Sequence, residues 1–483
     1  MINIIVELSR YLLVIIMLLF ALQSFQFLKQ RDEEEKKHIL RKQTLTIVFL
    51  NFFAFTVMYL QTLEFTMIIM FLEILGLVVV LPILYRIFYK KASLLLVNNM
   101  CMLLSCGFIM LGRLNFESAQ TQLILVVIGT AGSLLIPVII RKVKILRDMT
   151  WFYCVLGIIM LSAVLVLAPL SGGANLSLEY KGITFQLSEI VKITYVFFLA
   201  GIFRKKKDFK TVVLATIGAG LHVIILVLSR DLGNALVFFI AYVVILYVAT
   251  KNPLYGLGAL LGGSAAAVVA HKLFSHVRVR VNIWKDPFYD PTDKGYQTIQ
   301  GLFGVAAGSW FGTGLFNGSP TSIPEVRKDF IFAAICEELG SIFAICVLVV
   351  CMTCFLMIVN IAMRMNNKFY RLIALGLGTQ YAFQVFLTVG GSINFIPMTG
   401  ITLPLVSYGG SSVISTIIMF SIVQGLYILR EDEGAQLEGE RIEKERQAFE
   451  QARAQNATQR PTGEREVSLE ERIEAETKKS LRW

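Results

Sequence analysis

Asp329 and the basic residues ahead of it are the side chains in this sequence best suited to chemistry. Asp329 opens an apolar stretch at the end of a long polar segment, His276 to Gly340. A carboxylate at a helix start can accept a proton from a reacting group, or it can simply cap the helix amides. Upstream, Arg278 and Arg280 alternate along HVRVRV, so an extended backbone would point both the same way. Trp284-Lys-Asp-Pro-Phe-Tyr-Asp-Pro291 is turn chemistry, with φ fixed at each proline, and it carries Lys285. Five glycines between Gly304 and Gly318 would let the backbone approach a ligand closely. Glu337 and Glu338 follow two turns beyond Asp329.

Three other segments hold polar residues that a bilayer helix does not carry without reason. In FQLSEIVK, Glu189 and Lys192 stand at i, i+3 and share a helix face, either as a site or as a buried pair that fixes packing. In SRDLGN, Arg230 and Asp231 sit at a helix junction, where a structural pair or cap competes with a catalytic role. From Gly390 to Ser412 the chain reads GGSINFIPMTGITLPLVSYGGSS. It is broken by Gly and Pro and rich in hydroxyls, Thr399, Ser407 and Ser411 among them. Irregular backbone of this kind is tolerated at membrane depth where it lines a cavity.

The elements that must position these residues are membrane helices. Of 483 residues 56% are hydrophobic and 16% charged, with a mean hydropathy of +0.68, a balance that excludes a soluble domain. The fold class expected is an all-α polytopic membrane protein. Thirteen apolar spans lie near 3–27, 44–62, 65–89, 93–113, 121–141, 149–170, 185–203, 210–229, 232–249, 255–275, 330–362, 372–392 and 404–429. Lys and Arg concentrate in alternate connections: six from Lys29 to Lys42, three from Arg86 to Lys91, four from Arg141 to Arg147, five from Arg204 to Lys210 and three from Arg364 to Arg371. The positive-inside rule then predicts an N-out, C-in topology with the large loop, 276–329, outside. A loop so long between two membrane helices points to function rather than spacing.

The net charge of +11 fits cytoplasmic loops and anionic lipid better than nucleic acid, and no nucleic-acid partner is expected. No basic n-region precedes the first apolar run, which is followed by a charged hinge, so no cleavable signal is expected. The seven cysteines fall in or beside apolar runs without zinc-ligand spacing and read as small buried hydrophobes. Three units follow: extra N-terminal helices over 1–92, a core over 93–430, and a charged tail over 431–483. The tail breaks at Asn456 to Gly463 and reads as a solvated helix, a partner-binding helix or disorder.

The polar segments resemble, in order, the motifs of the SEDS family (shape, elongation, division and sporulation), the RodA, FtsW and SpoVE proteins of bacteria. FQLSEIVK is similar to FQPSExxK, SRDLGNAL to QPDLGTAL and DPFYDPTDKGYQTIQ to DPxxDPxxxGYQxxQ. PEVRKDFIFAAICEELG resembles PExxTDFIFAxxxEELG, and PMTGITLPLVSYGGSS resembles PxTGxTLPxxSYGGSS. The resemblance covers roughly residues 93–430 and implies a ten-span core with its N-terminus inside. The first three spans are then an addition, and their odd number inverts the N-terminus. They are expected to be dispensable for catalysis and available to a partner. Leu187 and Arg230 stand where the family has proline, and Arg327 and Lys328 stand where it has His and Thr. Those two cations next to Asp329 would favour its charged form and shift its pKa or its substrate.

The resemblance implies a multi-pass protein of the bacterial cytoplasmic membrane that polymerises lipid II into glycan strands on the outer face. Asp329 would be the base for the acceptor hydroxyl. Arg278, Arg280 and Lys285 would meet the departing pyrophosphate, and Glu189, Lys192, Asp231, Thr399, Ser407 and Ser411 would complete the substrate-binding set. A divalent metal, Mg2+ or Mn2+, would be the one cofactor to consider, although no diagnostic ligand cluster is visible. The implied partners are a class B penicillin-binding protein and other divisome or elongasome membrane proteins. The competing readings are a lipid II flippase, for which the intramembrane Glu189, Lys192, Arg230 and Asp231 would suit a translocation path, and a non-catalytic cell-wall scaffold.

Overall fold

The computed structural model describes residues 2–168, 178–180, 183–204 and 207–459. The N-terminal layer is α1 (Ile2–Lys29), α2 (Glu33–Thr62) and α3 (Thr66–Phe88). The core continues with α4 (Leu94–Leu114), α5 (Phe116–Ser133), α6 (Ile136–Lys142), α7 (Thr150–Leu167), a hairpin of β1 (Leu178–Tyr180) and β2 (Ile183–Phe185), α8 (Leu187–Ile202), α9 (Phe209–Leu228), α10 (Leu232–Thr250) and α11 (Pro253–Leu273). The long polar segment folds as α12 (Ser275–Lys285), α13 (Tyr296–Gly308) and α14 (Ile331–Leu339). Then come α15 (Ser341–Arg364), α16 (Lys368–Ser392) and α17 (Gly410–Gln459).

Twelve helical segments among the described residues are long and apolar enough to cross a membrane, α5 and α6 counting as one. The sequence led us to expect thirteen. The difference is α8, an apolar helix of 16 residues where the sequence suggested a span over 185–203. The expected span over 330–362 is also two helices, because Gly340 at φ +90° breaks the chain between α14 and α15.

These three helices are not a separate body: one hydrophobic core runs from Val6 on α1 through to Ile428 on α17. Buried polar side chains fix their register. Gln43 Nε2 donates to Ser24 Oγ (3.0 Å), Ser24 Oγ to Asn99 Oδ1 (3.2 Å) and Asn99 Nδ2 to Thr353 Oγ1 (2.9 Å), which links α2, α1, α4 and α15. Asn51 Nδ2 donates to Ser105 Oγ at 2.8 Å, and Asn98 Nδ2 to Gln43 Oε1 at 3.2 Å. Such groups have no water to turn to in lipid and act as interhelical glue.

Helix α4 lies at the centre and is buried over almost its whole length. Gly107 allows the non-helical segment after α16 to lie against it, since a Cβ there would sit 2.6 Å from the Val406 carbonyl oxygen. The seven cysteines are all buried and free. Of the tail, α17 runs on to Gln459, with exposed side chains from Ala435 to Gln451, and the rest lies outside the described residues. Asp432 ties its root to Lys91 (2.8 Å) and Arg141 (2.6 Å).

Candidate functional site

Asp329 lies in the turn before α14, and the segment after α16 holds that turn. Tyr408 N donates to the Arg327 carbonyl at 2.7 Å, and the Ser407 hydroxyl donates to the Lys328 carbonyl. Ser407 Oγ in turn accepts from Leu403 N at 2.8 Å. Helix α5 braces the same turn: Gln122 receives Gly409 N (3.1 Å) and donates to the Ser407 carbonyl (3.0 Å). The SYGG segment is therefore the clamp on the backbone that carries Asp329.

The clamp leaves the carboxylate buried, 8% exposed, with Oδ1 lacking a hydrogen-bond partner. Burial disfavours its charge and pushes the Asp329 pKa up to about 7, and Glu325 adds to the rise, against Lys328 and Arg280, which lower it. This reverses the expectation that the neighbouring cations keep it charged. Arg327 turns away to donate to Ser118 Oγ at 2.7 Å, and Lys328 pairs at 2.9 Å with Glu325 on the surface. The cap reading is not met either, because α14 begins at Ile331 behind Phe330 and has no side-chain cap.

HVRVRV is helical, not extended, since it forms most of α12. At about 100° per residue, positions two apart diverge to different faces, so Arg278 is exposed while Arg280 turns inward. Arg280 Nη1 donates to the Met398 (3.2 Å) and Thr399 (3.1 Å) carbonyls. Burial lowers the Arg280 pKa from its ordinary value, opposed by the charges of Asp329 and Asp231. Lys285, at the exposed end of α12, does not join this group. The structure thus joins Arg280 to Thr399, and the Arg280 charge acts on both Asp329 and Asp231.

The remaining candidates are engaged within the protein. Asp231 caps α10 through Asn234 N (3.2 Å) and accepts from Ser188 Oγ (3.1 Å), Gln186 Nε2 (3.3 Å) and Asn234 Nδ2 (2.9 Å). Glu189 and Lys192 form a buried ion pair at 2.8 Å, and Lys192 also donates to Gln384 Oε1 at 2.8 Å. Ser411 Oγ accepts from Gln186 N at 3.1 Å.

Glu337 and Glu338 hold the glycine-rich loop. Glu337 Oε1 accepts from Ser319 N (2.6 Å), and Glu338 Oε1 accepts from Phe316 N (3.2 Å) and pairs with Arg113 (2.9 Å). Gly308 permits this packing, since a Cβ there would meet the Cys336 carbonyl oxygen at 1.8 Å. Sequence reasoning missed Gln122, Gln384 and Arg113. Each is a polar residue inside an apolar span, and that was the available signal.

Among the described residues no group of three His, Cys, Asp or Glu side chains could hold a metal ion. The side chains described do not make a resident site for Mg2+ or Mn2+.

The fold and site define a polytopic helical membrane protein with a buried acid, Asp329, in the field of the Arg280 guanidinium. Residues 86–431 match the model of the FtsW, RodA and SpoVE family, described as cell cycle proteins. RodA of Mycobacterium tuberculosis, named a peptidoglycan glycosyltransferase, is 31% identical over 373 residues, covering 70% of this chain and 78% of its own. FtsW of Aliivibrio salmonicida, named a probable peptidoglycan glycosyltransferase, is 30% identical over 278 residues, 56% of this chain and 70% of its own. A chain in a solved peptidoglycan synthase complex, whose polymerization and crosslinking are structurally coordinated, shares the fold, with a TM-score of 0.59 and 24% identity over 70% of this chain and 98% of that one. This chain belongs to the FtsW, RodA and SpoVE family.

Proposed function

We propose that this protein is a peptidoglycan glycosyltransferase of the bacterial cytoplasmic membrane, polymerising lipid II into glycan strands, with Asp329 as its general base. The observation that carries the reading is the buried, unpartnered Oδ1 of Asp329, whose charged form the Arg280 guanidinium favours. A base is most effective when its pKa lies near the working pH, and burial brings this carboxyl there. The acceptor sugar hydroxyl donates its proton to Oδ1 while its oxygen bonds to the anomeric carbon of the donor. The bond from that carbon to the diphosphate breaks, and the diphosphate leaves with the electron pair. Arg280, fixed by the Met398 and Thr399 carbonyls, offers its remaining guanidinium donors to the charge that develops there. Arg278 and Lys285, both exposed, lie outside this group and attract the anionic substrate at longer range.

The same reading places the loop with Asp329 outside the cell, as the alternating Lys/Arg connections support. It also gives the chain a class B penicillin-binding protein as partner, with other divisome or elongasome proteins nearby. The crosslinking complex that contains a chain of this fold supports that partnership. The test is a polymerisation assay with purified full-length protein and lipid II, with and without the candidate partner. Glycan strands that disappear on Asp329→Asn are expected. Lipid II translocation into vesicles without strand formation would replace this reading with the transporter.

A further inference from the structure

The N-terminal turns of α1 reach the loop that holds the site. Arg10 Nη1 donates to the Gly312 carbonyl at 3.1 Å, and its charge is fixed by Glu7 at 2.9 Å. Beside it the Tyr11 ring packs on Phe311, with centroids 5.2 Å apart and planes at 54°. The next residues of that loop pass the contact on: Thr313 N donates to the Glu337 carbonyl and Gly314 N to the Glu338 carbonyl, both at 2.9 Å. These carbonyls belong to the last turn of α14, a helix whose nine residues are all buried and whose first residue stands two after Asp329. A helix of that length spans about 13 Å and moves as a rigid unit.

We propose that Arg10 is a positioning residue, and that through it the three added helices set the placement of α14 and so of Asp329. The rest of the added layer is built to hold α1 in place for this. The hydrogen bonds from Gln43 through Ser24 and Asn99 to Thr353 fix α1 to α2, α4 and α15 within the membrane. The layer is thus anchored to the core toward the Lys29 end of α1 and latched to the loop at the opposite end, which runs counter to the expectation that it is dispensable. A partner that binds α1 to α3 in the bilayer has a mechanical route to the site, because a displacement of about 1 Å at a reacting group can cost about 100-fold in rate. The inference rests on the glycosyltransferase reading for its catalytic half only.

The test uses the full-length protein and the variants Arg10→Ala, Arg10→Lys and, as a lipid-facing control on the same helix, Leu8→Ala. Amide hydrogen exchange at Thr313, Gly314, Phe316 and Ser319 reports the latch without reference to activity. Arg10→Ala should speed exchange there about 10-fold and lower kcat about 10-fold with little change in KM. Arg10→Lys should recover most of both, and Leu8→Ala should match wild type. Should Arg10→Ala not purify as a folded protein, Tyr11→Ala carries the same expectations, since it leaves the Glu7 pair intact.

Wild-type exchange in a folded Arg10→Ala protein overturns the latch whatever the activity. Faster exchange with unchanged kcat overturns the coupling to Asp329, and a kcat loss that Arg10→Lys does not recover reduces Arg10 to a structural residue. If the wild-type chain makes no glycan strands, the glycosyltransferase reading fails, and the exchange data still decide the latch.

Discussion

The hydroxyl of Ser407 donates to the carbonyl of Lys328, the residue immediately before Asp329. A serine on the SYGG segment therefore sets where the peptide that carries the buried acid can lie. Ser407→Ala leaves the Lys328 carbonyl and the Leu403 amide without this partner. The expected cost is about 1–3 kcal/mol of stability and about 10- to 100-fold in polymerisation rate. Thermal unfolding and a strand-length assay on the same preparation check both. A fully active variant would mean that Asp329 is placed by something other than this clamp.

Asp329→Asn keeps the shape of the side chain and removes the proton acceptor. Loss of a general base costs about 10²–10⁴ in rate. Because Oδ1 takes no part in holding the fold, the variant should unfold at a temperature no lower than wild type and still bind lipid II. Near wild-type turnover would remove Asp329 from the chemistry.

The pH dependence has a definite sign. Burial raises the folded-state pKa of Asp329 to about 7, whereas in the unfolded chain the group ionises near about 4. The folded state holds the proton more tightly, so this group's contribution to stability falls as pH rises from about 4 to about 7 and is constant above. Activity runs the other way, because the base must be ionised: the rate should climb through about pH 7 and level off. Rate profiles of wild type and Asp329→Asn should differ by that limb, and the same limb in both would assign it to another group.

Removing Asp231 should damage the fold more than the chemistry. Its carboxylate caps α10 and accepts from Gln186, Ser188 and Asn234. Asp231→Ala is expected to cost about 1–3 kcal/mol by leaving those donors unpaired, with a smaller loss for Asp231→Asn. Denaturation in detergent reads the ranking, and equal stability of the three proteins would contradict it.

The orientation expected from the basic loops can be read on intact cells. A cysteine placed at Thr292 should react with an impermeant maleimide from outside, and one at Glu440 should not. Labelling at Glu440 would reverse the topology and move the site to the cytoplasmic side.

The membrane-spanning helices were legible in the sequence because each is a long apolar run, and lipid leaves the backbone few alternatives. Glu189 and Lys192 were legible as a pair because three residues along a helix is contact distance. Asp329 stood out by its position, but its electrostatics did not. Nearest neighbours in sequence suggested a charged group, whereas Arg327 and Lys328 point to Ser118 and Glu325, and burial dominates. Alternation misled at HVRVRV, where an extended backbone would have put Arg278 and Arg280 on one side, yet the stretch forms most of α12. Nor could local pattern show that Ser407 reaches Lys328 or that Gln122 braces Ser407, because these contacts span 79 and 285 residues.

The hydrogen bonds around Asn99 also bear on where the chain can be divided. A cut after residue 92 falls where the sequence changes character, but it would leave Asn98 and Asn99 on α4 without their acceptors and donors on α1 and α2, facing lipid. Uncompensated amides in hydrocarbon are costly. The three N-terminal helices and their receptors on α4 and α15 therefore form one packing unit. A graft of α1 to α3 onto another family member should seat only where the recipient also supplies asparagines at the places of Asn98 and Asn99 and hydroxyls at those of Ser105 and Thr353.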